Sequence, residues 1–177
     1  MADTERIPSQ ISRRHFIFGA GALSVLTLAY AGLRQTGCYE AETLELTALS
    51  DKAAAIYRKA GRILIPETEW FPGHGGDDET LYGIDRMMQG VPEGSKWKLN
   101  ALPLVFEHGT ALDRYGSKRL SALSDDDAHA YLQRWSESSL LIKAQLMIAL
   151  KTMYAFSYFE RGDVLAAMGR TPHCVTS

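Results

Sequence analysis

With 177 residues, 46% of them apolar and 23% charged, and a formal net charge of −2, the chain holds enough apolar side chains to bury a core. That balance excludes a disordered polyelectrolyte, and the lack of a basic excess argues against nucleic acid as a partner. Beyond its N-terminal segment the chain has the length of one core and is short for two.

The first element is an address. Ser12-Arg13-Arg14-His15-Phe16-Ile17-Phe18 has the paired arginines, the preceding Ser and the aromatic two positions on of a twin-arginine export signal, with Phe18 where such signals often carry Lys. An uncharged stretch from His15 to Leu33 follows directly. It approaches the ~20 residues of a membrane-spanning helix, yet Gly19, Gly21, Ser24 and Thr27 keep it mildly hydrophobic, as suits a removable signal. Ala29 and Ala31 are the alternate small residues that a signal peptidase reads, which places cleavage after Ala31. Two other fates stay open: lipidation at Cys38, although Gln35 stands where a Leu-like residue is wanted, and retention of the segment as an anchor. The chain therefore divides into residues 1–31 as signal or anchor, 32–49 as linker and 50–177 as one helical domain. The twin-arginine route carries folded proteins, so its bearer either folds around a cofactor in the cytoplasm or travels with a partner that does.

The domain reads as an all-α, irregular bundle of about five to seven helices after the signal helix. From Ser50 to Ile65, Ala53, Ile56, Tyr57, Ala60, Ile63 and Leu64 recur at spacings of three and four behind a capping Ser50, and Pro66 stops the run. Glu67 to Asp78 is loop, broken by Pro72, Gly73, Gly75 and Gly76, and its Trp70 and Phe71 are too apolar to be left in water without a reason. Glu79 to Gln89 is a short helix with Leu81, Ile84, Met87 and Met88 on one side. Within Ser95 to Tyr115, Pro103 costs about 3 kcal/mol in a helix interior, which predicts a break there. Ser124 caps a helix whose first turn, Asp125 to Asp127, puts negative charge where the helix dipole favours it. Leu140 to Phe159 is apolar nearly all round and reads as the central buried helix. A last short helix, Asp163 to Met168, ends at Gly169.

The chain is poor in recognisable chemistry. No two of its five histidines lie at metal-ligand spacing, and no Cys-x-x-Cys or His-Glu-x-x-His occurs, so no metal, catalytic or cofactor-binding residue is assigned. Gly73-His74-Gly75-Gly76 is a flexible loop without the context of a phosphate cradle, and Glu107-His108 reads as solvated helix surface. Trp70 and Phe71 are candidate interface residues, with packing on the domain's own core as the competing reading. For Cys38 and Cys174, a disulfide between them, a link from Cys174 to another chain and two unpaired thiols are all open.

The C-terminal stretch Leu150-Lys151-Thr152-Met153-Tyr154-Ala155-Phe156-Ser157-Tyr158-Phe159, then Val164 to Gly169 and Pro172-His173-Cys174, resembles the ending of the gluconate 2-dehydrogenase subunit 3 family. Leu123-Ser124, Tyr131 to Trp135 and Ser138 are similar to that family's middle region, and Ile63-Leu64-Ile65-Pro66 to its first helix ending in proline. The chain departs from the pattern at Asp163, Leu165 and Arg170, changes that bear on a partner surface.

The resemblance implies a small, helical, twin-arginine-exported subunit of a dehydrogenase at the outer face of the inner membrane. In that family the large subunit is an FAD-containing oxidoreductase of the glucose-methanol-choline type without a signal of its own, and a cytochrome c subunit often takes the electrons. This chain would then hold no cofactor, engage the twin-arginine translocase, and carry the flavoprotein to the periplasm. Trp70, Phe71, Tyr158 and Phe159 are its candidate interface, and Cys174 its candidate covalent link. The competing expectation is a stand-alone periplasmic redox protein binding a cofactor through His74, His108 or His129; a free-standing binding module is the third.

Overall fold

The computed structural model describes residue 39 and residues 44–170. Ser12, Arg13, Arg14, Phe16, Ile17, Ala29, Ala31, Cys38 and Cys174 lie outside the described residues, and with them the signal, its cleavage and any disulfide. Among the described residues the fold is all-α: α1 (Asp51–Leu64), α2 (Asp78–Gln89), α3 (Glu93–Gly109), α4 (Asp125–Ser136), α5 (Leu141–Phe159) and α6 (Gly162–Ala167), with 3-10 turns at Thr110–Leu112 and Leu120–Ala122.

The hub is α1. Ser50 accepts a hydrogen bond from the Ala53 N–H at 3.3 Å, which opens the helix, and the Ile65 N–H donates to Gly61 just before Pro66 closes it. Its buried Ala53, Ala54, Ile56, Tyr57 and Ala60 face α2, α3, α4 and the second 3-10 turn. In turn α5 packs mainly across α2 and α4, closest where Gly83 lets the two backbones approach at Ser157. A side chain at Gly83 would sit 3.0 Å from the Ser157 Cβ. The last helix ends as expected, with Gly169 at φ +70° and the Arg170 N–H returning to the Leu165 carbonyl.

The expected break at Pro103 does not occur, and α3 runs unbroken through it. Proline has no N–H to give to the carbonyl one turn earlier, that of Leu99. The Tyr57 hydroxyl donates to this Leu99 oxygen at 3.1 Å, so α1 supplies the bond that α3 lacks. Helix continuity here is a tertiary property.

Two further features depart from the sequence reading. Gly75 and Gly76 are not a free loop but are buried against α1. The Gly75 N–H donates to Ile65 O at 2.8 Å, and a Cβ on Gly61 would lie 2.2 Å from the Gly75 oxygen, so this contact needs glycine on both sides. The chain entering α1 is held by Asp85, only 3% exposed. Its carboxylate accepts from the N–H groups of Leu49 (2.7 Å), Ala48 (2.8 Å) and Thr47 (3.2 Å), and from the Gln89 side chain (2.8 Å). Burial pushes the Asp85 pKa up, but these donors outweigh it and hold it below the usual range.

Candidate partner interface

Only one side of α5 is buried, contrary to the reading of it as a central helix. Met147, Leu150, Met153, Tyr154, Ser157 and Tyr158 face the bundle. Leu141 (71% exposed), Ile142, Ile148 (64%) and Phe156 (56%) face outward, with Leu140 just before the helix. Helical geometry sets Leu141, Ile148 and Ala155 in one line and Ile142, Ala149 and Phe156 in the next. The exposed arc also holds Gln145, Thr152 and Phe159, and its single charge is Lys151. A helix face left to water normally carries charge; this one spans 19 residues with one cation. Covering it would gain on the order of 1.5 kcal/mol or more for each large side chain.

The four interface candidates from the sequence divide. Trp70 is 80% exposed and Phe159 also reaches solvent. Phe71 is half-buried, standing edge-on to Phe159 with ring centroids 6.3 Å apart, so it has folded back on its own domain. Tyr158 is a core residue instead of a surface one: its ring is buried and its hydroxyl donates to the Pro72 carbonyl at 3.1 Å. The outward residues of α5 went unrecognised because apolar periodicity does not distinguish a face buried by the chain itself from one left for another molecule.

Glu107 is likewise not solvated but fully buried. Its Oε1 accepts from the Tyr39 hydroxyl and the Ser121 hydroxyl, both at 2.5 Å, and its Oε2 from the Ser121 N–H at 2.9 Å. Lys52 and Arg119 lie over the Tyr39 ring at 5.1 and 5.4 Å. Burial, reinforced by Glu107, pushes the Tyr39 phenol up to about 12. Engaged on both oxygens, Glu107 fastens residue 39 to the end of α3. Neighbouring His108 has its pKa lowered by burial and then by Lys52, against the opposing pull of Glu107.

The other two described histidines stand on separate elements. The His74 Nδ1 accepts from the Gly76 N–H at 3.1 Å inside its loop, and His129 is exposed on α4. Among the described residues no three His, Cys, Asp or Glu side chains group so as to hold a metal ion. The acidic first turn of α4 is used as the sequence suggested: Ser124 accepts from the Asp127 N–H, while Asp125 pairs with Lys59 at 2.5 Å and Arg62 at 3.3 Å. No single helix among the described residues is long and apolar enough to cross a membrane.

No family model, curated protein or solved structure matches this chain.

Proposed function

We propose that this protein is a non-catalytic small subunit of a periplasmic flavin-dependent alcohol or sugar dehydrogenase, of the gluconate 2-dehydrogenase subunit 3 type. Its role is to supply the twin-arginine signal and to stabilise an FAD-containing large subunit that has none. The observation that carries this reading is the outer face of α5, apolar along its length with Lys151 its one charge, beside the exposed Trp70. A helix face this poor in charge supports a surface that another molecule covers. Arg13 and Arg14 add the second support, because a flavoprotein must take up FAD before export and a folded pair can travel on one signal. The complex works at the outer face of the inner membrane and passes electrons to a cytochrome c subunit, while the flavin and the catalytic acid and base belong to the partner.

Co-purification tests this. Expressed with its neighbouring genes, the chain emerges bound to a yellow flavoprotein. A chain that emerges alone and flavin-free contradicts the proposal. A visible absorbance band in the isolated chain would support the stand-alone redox reading instead.

A further inference from the structure

We infer that the trough between the turn after α1 and the C-terminal half of α5 is a receptor for one aromatic or branched apolar side chain flanked by a carboxylate. The trough has a volume of about 350 Å³, at the small end of the ~300–1,000 Å³ typical of ligand sites and suited to a single side chain. Phe71 and Phe159, perpendicular to one another, form one wall and are the rings that reach the surface, while the buried Tyr154 and Tyr158 form the floor. Both phenol hydroxyls point their protons elsewhere: Tyr154 donates to the Tyr57 carbonyl at 2.5 Å and Tyr158 to that of Pro72 at 3.1 Å. The Thr68 hydroxyl oxygen is engaged by the Phe71 N–H at 3.2 Å. The trough therefore offers aromatic faces and, at its rim, one cation.

That cation is Lys151. Its ammonium donates to the neutral Ser136 hydroxyl at 2.9 Å and forms no ion pair with a carboxylate among the described residues. An apolar slot with a positive charge at its edge is matched by an apolar group carrying one negative charge beside it. Ala155 and Phe159 belong both to the trough and to the outer face of α5, so an occupant continues onto that face. A segment of a partner protein fits this better than a free small molecule. That the segment belongs to the flavoprotein rests on the function proposed above; the chemistry of the trough does not.

The probe is indole-3-propionate, an aromatic ring with a carboxylate, titrated into the isotope-labelled full chain and followed by amide NMR. Saturable shifts are expected at residues 64–71 and 151–159. Lys151→Met weakens binding about threefold, the scale of an exposed ion pair. Ala155→Trp fills the slot and abolishes binding, while unchanged amide positions elsewhere show that the fold is kept. Absent shifts, or shifts that both variants leave unaltered, overturn the inference. A flavoprotein that co-purifies equally with wild type and Ala155→Trp overturns it too, with the escort role intact. Binding of the probe with no flavoprotein captured supports the trough and counts against the escort.

Discussion

Removing the Tyr57 hydroxyl tests the claim that α1 repairs the hydrogen bond missing at Pro103. Tyr57 is wholly buried, and its hydroxyl is the donor to Leu99 O at 3.1 Å. Tyr57→Phe keeps the ring, whose edge meets Tyr154 with centroids 6.0 Å apart, and leaves that carbonyl without its donor. The cost is about 1–2 kcal/mol, read as a fall of about 2–8 °C in Tm or as a lower urea midpoint. Pro103→Ala gives α3 its own N–H for Leu99, so in that background the same substitution costs about 1 kcal/mol less. Burial holds the Tyr57 phenol protonated past the usual tyrosine range, so the wild-type bond survives mildly alkaline pH. Strictly additive effects of the two substitutions would refute the reasoning, whatever the sign of Pro103→Ala alone.

Gly61→Ala drives a methyl into the Gly75 carbonyl and should destabilise by about 1–3 kcal/mol. Gly94→Ala, in α3 with open space around it, should stabilise by about 0.5 kcal/mol; thermal melts check both. Asp85→Asn weakens the clamp on residues 47–49 and costs about 1–3 kcal/mol at pH 7. Because the folded Asp85 pKa lies below the unfolded value of about 3.9, its contribution is complete above that pH and is lost as pH falls through the folded value. The stability gap between wild type and Asp85→Asn therefore closes below about pH 4, as denaturation curves at several pH values would reveal. Ile148→Asp with Phe156→Asp, both on the exposed face, leaves the unfolding free energy within about 1 kcal/mol of wild type and abolishes co-purification with the flavoprotein.

Local chemistry made the helix ends legible. Ser50, Pro66, Ser124 and Gly169 act on neighbours a few residues away, and each does in the fold what its type suggests. Where the account depends on distant partners, the sequence was silent. Glu107 is solvated or buried according to Tyr39, 68 positions away, and Ser121. Pro103 breaks a helix unless a hydroxyl from another helix stands beside Leu99. Gly75 and Gly76 look like a flexible loop until Gly61 is placed against them. For the candidate interface, Trp70 and Phe159 were legible as apolar residues in a loop and at a helix end. Tyr158 was not, since on a helix apolar almost all round the side facing the bundle is fixed by packing, and so Ile148 and Phe156 were passed over.

The central claim is that Arg13 and Arg14 serve another protein's cofactor. Replacing both with Lys, in cells that also make the flavoprotein, and assaying dehydrogenase activity in periplasmic and cytoplasmic fractions tests it most directly. The account predicts an active, FAD-loaded large subunit stranded in the cytoplasm. A large subunit that still reaches the periplasm would contradict it.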